Sequence, residues 1–438
     1  MPAAEGGLRF ALRALAHRNY RLFFAGQSVS LVGTWLTRVA TSWLVYRLSG
    51  SAAMLGLIGF CGLIPSFILS PLAGVYVDRH DRHRVIVITQ VLSMLQSFVL
   101  AALALTHTIT VFEVAALQLF QGVVNAFDTP ARQSFVVEMI EDRKDLANAI
   151  ALNSSMFNGA RLLGPSIGGV LIAIVGEGGC FLIDGISYIA VIASLLAMTV
   201  KRLPREARVT RPLEELREGF RYVTESQVIR SLLSLLGIVS FVGMPYAVLM
   251  PLIASERLHG GPHTLGFLMA ATGLGALGGA IRLAARRHIK GLARELVTMS
   301  IVFGVSLALF AASSTEWLAL PLLVAVGFSM MLQTAATNTI LQTIVEERMR
   351  GRVMAFYTMA VMGTAPFGAL LAGALASRIG APWTIGASGV VVAIAGGFSY
   401  AQLPKLRAAL RPIYIKLGIL PEVAEGLKSA EDTATPAA

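Results

Sequence analysis

Polar side chains recur along an apolar stretch of the sequence at the spacing of a single helix face. Gln118, Gln121, Asn125, Asp128 and Arg132 follow one another at steps of three, four, three and four residues. These steps place all five side chains on one stripe of a helix. Amide and charged groups are costly in hydrocarbon, so they usually face a bundle interior or a water-filled path. The stripe is therefore the first candidate for a functional surface.

A second stripe of the same kind lies nearer the N-terminus and consists of Gln27, Ser30, Thr34, Arg38 and Thr41. We expect it to face an interior cavity as well. Arg38 lies about 16 residues, or roughly 24 Å, from the cytoplasmic edge of its apolar segment, which is too deep for easy contact with solvent. Either a cavity or gate role, or a structural ion pair, would explain a cation at that depth.

The composition identifies the elements that carry these stripes. Hydrophobic residues make up 55% of the 438 residues and charged residues 14%, with a mean hydropathy of +0.70. Soluble chains have about 25% charged residues, so this is an all-α integral membrane protein. Twelve apolar segments, which we call spans 1 to 12, can each cross a roughly 30 Å hydrocarbon layer as a helix. Their predicted limits are 22–46, 52–77, 85–105, 111–134, 147–175, 180–200, 228–252, 264–283, 296–312, 317–343, 353–377 and 383–402.

The net charge of +11 would also suit a nucleic-acid binder, so the placement of the basic residues matters. With the N-terminus in the cytoplasm, nearly all of the 36 Lys and Arg residues fall on the cytoplasmic side. The exceptions are Arg47, Arg257 and Arg378 on the outer side, and Arg38 and Arg161 within spans. This asymmetry follows the positive-inside rule and excludes nucleic acid as the partner. It predicts a multi-pass protein of the cytoplasmic (inner) membrane with both termini in the cytoplasm.

An internal repeat divides the spans into two halves. A shift of 209 residues superposes Glu138 on Glu347 and Gly164 on Gly373. Two six-span halves of the same orientation, related by pseudo-two-fold symmetry, place a substrate site near the midplane between them. The predicted domains are a cytoplasmic N-terminal segment (1–21), an N-terminal bundle (22–200), a cytoplasmic linker with an amphipathic helix (201–227), a C-terminal bundle (228–402) and a cytoplasmic tail (403–438).

Several motifs that mark catalysis or nucleotide binding elsewhere have the wrong context in this chain. Gly273, Gly275 and Gly278 match G-x-G-x-x-G, but they lie within span 8 rather than between a strand and a helix. The sequence has no phosphate-binding G-x-x-x-x-G-K-[ST] motif, and its seven histidines lack the spacing of metal ligands. The few acids within spans have no histidine nearby in sequence. We therefore predict that the protein is not an enzyme and binds no cofactor or metal.

Twelve spans in two repeated halves resemble the major facilitator superfamily, and the resemblance covers nearly the whole chain. The turn between spans 2 and 3 resembles that superfamily's gate motif, although Asp81 replaces its usual glycine and His83 interrupts its basic pair. The matching residues are Gly74, Asp78, Arg79, Arg82 and Arg84. The resemblance implies that this turn latches the cytoplasmic side shut, with Asp78 capping a helix of the opposite half. It also implies that the arginines bridge to an acid at the foot of span 4, for which Asp128 is the candidate.

Span 5 resembles the motif of the drug and proton antiporter branch, which implies export. The matching residues are Gly159, Gly164, Pro165, Gly168 and Gly169. Gly164 and Gly168 lie one turn apart, so a neighbouring helix can approach closely, while Pro165 removes a backbone hydrogen bond and bends the helix. We expect a dry, tightly packed helix at this point.

Two further runs, F-D-T-P-A-R-Q at 127–133 and L-A-N-A-I-A-L-N at 146–153, are more specific. They resemble the branch that includes the enterobactin exporter and macrolide efflux proteins. The resemblance implies a monomeric secondary exporter of amphiphilic small molecules, drugs or siderophore-like compounds, that works by alternating access and is driven by protons. An importer or a lysophospholipid flippase of the same fold is the alternative. The candidates for its cavity are Gln27, Thr34, Arg38, Gln118, Gln121, Asn125, Gln333 and Thr337.

Coupling to protons requires a titratable group that meets the cavity in one state. Gln118 stands where many antiporters carry an arginine linked to proton transfer, so another group must serve. Arg161 lies near the midplane and is expected to pair with an acid. One hypothesis is that Asp128 exchanges between Arg82 and Arg161 as the halves rock. The alternative is that Glu113 or Asp184 takes the proton near the outer mouth and Asp128 is structural.

Overall fold

A computed structural model describes residues 12–140, 142–199, 212–286, 289 and 291–416 of the chain. Helices account for nearly all of these residues, and no β-strand occurs among them. Residues 1–11, the first part of the predicted linker (201–211) and the tail beyond residue 416 lie outside the described residues.

Spans 1 to 6 form the N-terminal half. Spans 1 to 4 are separate helices, whereas spans 5 and 6 follow each other so closely that they form one helical segment. The helices are Arg18–Ser49, Ala52–Arg79, Arg82–Leu105, Val111–Glu138 and Leu146–Leu196. The last segment reverses at Gly176, where φ is 71°. Glycine adopts this left-handed conformation without the steric cost of a side chain, which explains how two spans connect without a loop.

Spans 7 to 12 form the C-terminal half. Their helices are Gln227–Arg257, Pro262–Ala284, Leu292–Ala312, Glu316–Ile344, Glu347–Ile379 and Ala381–Ala401. Spans 7 and 11 contain π-helical turns at Val239–Gly243 and Met359–Gly363. Pro245 and Pro366 follow these turns. Proline has no backbone N–H, so the regular ladder of hydrogen bonds is interrupted at both places.

Nine of the described helices are long and apolar enough to cross a membrane by length and composition alone. The segment Leu146–Leu196 counts once among them although it crosses twice. Spans 1 and 4 are not among the nine because their polar stripes reduce their apolar character. The described residues therefore form twelve helices of spanning length in two halves, in agreement with the sequence prediction.

Three short helices outside the spans lie at one end of the bundle. They are Arg13–Ala16, the linker helix Pro212–Glu225 and the C-terminal helix Leu403–Lys416. The turn at 78–84, between spans 2 and 3, lies at the same end. We call this the basic end. The opposite end, with the turns at Gly50, Gly176 and Gly380, is the far end.

The two halves meet along spans 2 and 11 and along spans 5 and 8. Near the far end, the backbone of Gly56 lies against Gly373, so close that a Cβ at Gly56 would stand 2.6 Å from the Ala369 carbonyl oxygen. Gly169 and Gly266 form the equivalent contact between spans 5 and 8. These small residues allow the backbones to touch, which closes the far end.

The halves part toward the basic end. About midway along span 2, the ring of Phe67 still packs edge-on against Phe367 of span 11. Nearer the basic end, Gly74 of span 2 and Gly159 of span 5 have no described atom within 4 Å of the position that a Cβ would take. The Asp78 side chain, one turn further on, is 69% exposed. The structure is therefore closed at the far end and open at the basic end.

Candidate functional site

The turn between spans 2 and 3 is held together by one arginine. Arg82 donates to Asp78 at 3.1 Å and to Glu138, at the end of span 4, at 2.8 Å. Asp81 begins span 3 by accepting a hydrogen bond from the Arg84 backbone N–H at 3.3 Å. Both acid partners of Arg82 belong to the N-terminal half. In this open state, the gate motif is thus linked within its own half.

The expectation that Asp128 would pair with Arg82 is wrong. Asp128 is buried and pairs with Arg132, one turn later in span 4, at 2.6 Å. It also accepts hydrogen bonds from Thr89 and Gln90 of span 3, both at 2.9 Å. Asp128 precedes Glu138 by about ten residues, or roughly 15 Å along the helix, so it lies too deep to reach the turn.

The C-terminal half has its own ion pairs at the basic end. Arg282 and Arg286, at the end of span 8, both pair with Glu295 of span 9, the former at 3.2 Å. The acid that binds these arginines therefore comes from the next helix and not from the loop. Glu295 of span 9 thus binds arginines at the basic end of the second half, as Glu138 of span 4 binds Arg82 in the first half.

The linker helix Pro212–Glu225 is attached to span 11 by a charge cluster. Glu218 accepts from Arg348 at 2.8 Å and pairs also with Arg352. The hydrogen bond from Arg348, together with the positive charges of both arginines, holds the pKa of Glu218 below the usual glutamate value. Arg352 is the repeat equivalent of Arg143 in the first half. The linker helix is therefore attached to a helix of the second half.

The glycines of span 5 fall into two groups. Gly164 and Gly168 lie against Trp35 and Leu36 of span 1, and Gly169 lies against Pro262 and Gly266 of span 8. At these positions the predicted close packing is present. Gly159, by contrast, has open space around it. Span 5 is thus packed on both sides in its far half and free near the basic end.

The predicted cavity residues also fall into two groups, one at least partly exposed and the other buried. Thr34, Arg38, Gln118, Gln121 and Asn125 are all at least partly exposed. Gln121 donates to Ser93 of span 3 at 3.0 Å and to Asn125 at 3.2 Å, so the stripe of span 4 is also tied to its neighbour.

The remaining cavity candidates are wrong in this state. Gln27, Gln333 and Thr337 are buried between helices, with 2%, 0% and 0% of their surfaces exposed. The Thr337 hydroxyl donates to the Gln333 carbonyl oxygen at 2.8 Å, one turn earlier in span 10. Helical periodicity identifies a polar face, but it does not distinguish a face that lines a cavity from one that packs against another helix.

Arg161 has no acid partner among the described residues, which contradicts the expected ion pair. Arg38 likewise forms no described ion pair, and its guanidinium carbon lies 4.5 Å from the centroid of the Trp35 ring. The two guanidinium groups are close enough for their like charges to interact. In this state Asp128 therefore pairs with neither Arg82 nor Arg161.

Asp184 is the acid that the structure isolates most completely. One carboxylate oxygen accepts hydrogen bonds from Thr37 at 2.8 Å and Ser97 at 2.9 Å. The other has no hydrogen-bond partner among the described atoms, and only 1% of the residue is exposed. Because the chain reverses at Gly176, Asp184 lies about eight residues, or roughly 12 Å, along span 6. Asp184 therefore lies deeper in the membrane than the sequence prediction, which put it near the outer mouth.

Glu113 has a local structural role. It interacts with the Thr110 side chain and accepts from the Thr110 backbone N–H at 2.7 Å, which completes a capping box at the start of span 4. A capping box satisfies backbone N–H groups that have no partner within the helix. Glu113 stands at the far end, away from the polar stripes.

Several important residues were not singled out from the sequence. Glu138 could have been found, since the repeat pairs it with Glu347, next to Arg348. Glu218, Glu295, Thr37 and Ser97 carry no motif, and only the packing of the helices brings them to their partners. No group of three or more metal-binding side chains occurs in the described part of the chain.

Comparison with known proteins identifies the family. A family model described as transmembrane secretion effector matches residues 10–423 of the chain. The chain belongs to that family, a branch of the major facilitator superfamily. The predicted superfamily, fold class and branch are confirmed, and the protein is a membrane transporter rather than an enzyme.

The chain aligns with several named transporters over nearly their full lengths. It is 26% identical over 376 residues to the staphyloferrin A transporter of Staphylococcus aureus, covering 84% of the chain and 92% of the relative. It is 29% identical over 392 residues to the multidrug efflux pump Tap of Mycolicibacterium fortuitum, covering 86% and 93%. Macrolide efflux protein A of Streptococcus pyogenes is 24% identical, with coverage of 86% and 96%.

Solved structures share the fold. A bacterial homologue of the human lysosomal transporter Spinster, in an inward-facing and unoccupied conformation, gives a TM-score of 0.65 at 15% identity and covers 92% of this chain and 99% of that one. A POT family transporter gives a TM-score of 0.70 at 11% identity, with coverage of 89% and 96%. These identities are low, so they support the architecture alone.

Proposed function

We propose that this transporter exports amphiphilic small molecules across the cytoplasmic membrane by alternating access, as a monomer and at the expense of a proton gradient. Relatives of similar length are named as a siderophore transporter and as drug efflux pumps, which supports export of this class of compound. The resemblance of the span 5 glycines to the antiporter motif also supports transport out of the cell.

The observation that carries alternating access is the arrangement of the halves. They touch through Gly56 and Gly373 and through Gly169 and Gly266 near the far end, and they part at the basic end. Rocking about such contacts would expose a site between the halves to each side in turn. Asp78 lies exposed in the open state, where it is free to meet the opposite half when the basic end closes.

The distribution of charge supports an orientation. Lys and Arg side chains crowd the loops of the basic end, which favours a cytoplasmic location for that end under the positive-inside rule. The state described by the structure is then inward-open, ready to accept a solute from the cytoplasm or the inner leaflet.

Asp184 is our candidate for the proton-binding group, in place of Asp128. Asp128 is neutralised by Arg132, whereas Asp184 has only hydroxyl partners, Thr37 and Ser97, from two other spans. A carboxylate without a cation is costly in a buried site, and uptake of a proton removes that cost. Thr37 lies one residue before Arg38, so a change at Asp184 is transmitted directly to span 1.

The direction of transport can be tested in inside-out vesicles loaded with a pH-sensitive dye. With a panel of a macrolide, a cationic dye and a catecholate siderophore, we expect uptake of at least one compound into these vesicles when they are energised. Uptake that occurs only in right-side-out vesicles would instead establish the importer. Movement of fluorescent lysophospholipid between leaflets, without uptake of soluble compounds, would establish the flippase.

The proton site can be tested in the same vesicles. Asp184→Asn should abolish substrate-driven proton release, because asparagine cannot take up the proton. Asp128→Asn and Glu113→Gln should release the same number of protons per transported substrate molecule as the unmodified protein, even if their transport is slower. Coupling that persists in Asp184→Asn would refute the assignment.

A further inference from the structure

We propose that Arg38 and Arg161 form an anion-binding site in the transport path, and that the substrate is therefore an amphiphile with an anionic headgroup, a carboxylate or a phosphate. This inference rests on the proposed function, which it deepens by giving the chemical class of the substrate.

Both arginines lie deep between the two ends of the bundle. Arg38 follows the start of span 1 by about 20 residues, roughly 30 Å, and Arg161 lies about 15 residues from either end of span 5. Yet the Arg38 side chain is exposed and that of Arg161 is partly exposed. Arg161 lies on the side of span 5 that faces the opposite half, and Arg38 is close enough to interact with it, so both exposed side chains border the space that opens toward the basic end.

The pair lies next to the opposite half. The backbone of Arg161 packs against Gly273 of span 8, where a Cβ would lie 3.0 Å from the Arg161 carbonyl oxygen. The Arg161 guanidinium is also near enough to Tyr246 of span 7 to interact with it electrostatically. An anion bound between Arg38 and Arg161 would thus contact the surface along which the halves move.

No acid neutralises these cations in the described part of the chain. The ion pairs formed by described acids within the spans use other arginines, such as Arg132 for Asp128 and Arg47 for Glu177. Two unpaired guanidinium groups that repel each other deep in a membrane protein are costly. A bound anion would remove that cost, and a guanidinium binds carboxylate or phosphate oxygens through two parallel hydrogen bonds.

Aromatic rings provide the surface for an apolar body. Trp35 lies one turn before Arg38, and Phe157 lies one turn before Arg161. Their ring centroids are 6.1 Å apart in an edge-on arrangement. Spans 1 and 5 both start at the basic end, so these rings stand between the arginines and the opening. A solute that enters from the basic end meets the rings with its apolar part while its anionic group reaches the arginines.

Binding can be measured on the purified protein in nanodiscs of phosphatidylcholine, by energy transfer from tryptophan to a dansyl-labelled long-chain carboxylate. Its methyl ester and the amine of the same chain length are the matched neutral and cationic probes. We expect the carboxylate to bind about tenfold more tightly than the ester, and the amine to bind most weakly. Equal affinities for the three probes would overturn the proposal.

Two variants assign the effect to the site. Arg38→Gln and Arg161→Gln should each weaken carboxylate binding about tenfold while the ester binds as before, which also shows that the variants are folded. Arg378→Gln, which removes an exposed arginine at the far end, is the matched control and should change nothing. Carboxylate preference that survives in both site variants, or that falls equally in the control, would refute the assignment.

Competition distinguishes the two sources of anion. Displacement by a soluble tricarboxylate-bearing amphiphile identifies a released solute, whereas displacement by lysophosphatidylglycerol but not lysophosphatidylcholine identifies a lipid headgroup. Both results support an anion site. Equilibrium binding in nanodiscs requires neither a proton gradient nor net transport. Charge-selective binding without export would therefore contradict the proposed function alone. Export without any preference for anions would contradict this inference alone.

Discussion

A side-chain nitrogen of Arg82 lies 2.8 Å from a carboxylate oxygen of Glu138, and this pair joins the turn after span 2 to the end of span 4. Both side chains are largely shielded from solvent, whereas Asp78, the second partner of Arg82, is mostly exposed. The two acids therefore make different contributions to the open state. The first holds the N-terminal half together, and the second remains available to the opposite half.

This difference predicts separate effects of two substitutions. Glu138→Ala should destabilise the protein by roughly 3 kcal/mol, because it leaves a shielded arginine with only an exposed partner. Asp78→Ala should cost less than about 1 kcal/mol, since exposed ion pairs contribute little. Asp78→Ala should still abolish transport, as should Arg82→Ala, because the basic end can no longer close. Thermal unfolding in detergent and vesicle transport measure the two effects.

The matched control for the gate is Asp142→Ala. Asp142 is an exposed acid at the same end; it lies 3.9 Å from the Lys144 amine and accepts a hydrogen bond from the Lys144 backbone N–H. Its removal should leave transport unchanged and cost at most about 1 kcal/mol in stability. Full transport in both Asp78→Ala and Arg82→Ala would show that the turn is only a determinant of topology.

Two buried acids should respond to neutralisation in opposite ways. Asp128→Asn removes the charge that balances Arg132, so we expect a loss of roughly 3 kcal/mol in stability and a lower melting temperature. Asp184→Asn removes a carboxyl group that has no cation partner, so stability should be unchanged or higher. Melting curves of the two variants at neutral pH provide the test. An equal loss in both variants would indicate that Asp184 has a cation partner in the membrane.

Span 5 offers a matched pair of glycines. A Cβ at Gly164 would overlap the Trp35 side chain, while Gly159, more than one turn earlier, has open space. We expect Gly164→Ala to cost about 1–3 kcal/mol through overpacking and to displace the indole beneath Arg38. Gly159→Ala should be neutral or should stabilise the helix by up to about 1 kcal/mol. Tryptophan fluorescence and melting temperature report both effects, and equal behaviour of the two variants would argue against tight packing at Gly164.

The sequence was sufficient for the architecture because the membrane constrains it so strongly. Apolar segments of spanning length, the basic loops and the repeat that pairs Glu138 with Glu347 each reflect a single physical requirement. The reversal at Gly176 falls in the interval predicted between spans 5 and 6, but the second helix begins there directly and not at residue 180. This earlier start places Asp184 deeper than the sequence prediction did.

The site was less predictable because it depends on contacts between helices. Arg82 was expected to meet Asp128, yet both Glu138 and Asp128 lie in span 4, and only their depth distinguishes them. The helix faces that carry Gln27 and Gln333 have the same polar periodicity as faces that border the cavity, although both side chains are buried. Their neighbours, which come from other spans, determine whether water reaches them.

The ion pairs of Glu218 predict a pH-dependent attachment of the linker helix to span 11. Since Arg348 and Arg352 lower the pKa of Glu218, the attachment is complete above the ordinary glutamate value, about 4.3, and is lost as the pH falls through the lowered pKa. Protection of the amides in Pro212–Glu225, expressed relative to the intrinsic exchange rate at each pH, should therefore decrease in acid. Glu218→Gln should show that lower protection already at neutral pH and should lose the acid transition. Glu225→Gln is the control, because Glu225 is an exposed acid of the same helix whose partner, Arg221, lies 3.7 Å away in that helix. Unchanged exchange in Glu218→Gln would mean that apolar contacts, such as that of Phe220 with Phe356, hold the linker helix without the charges.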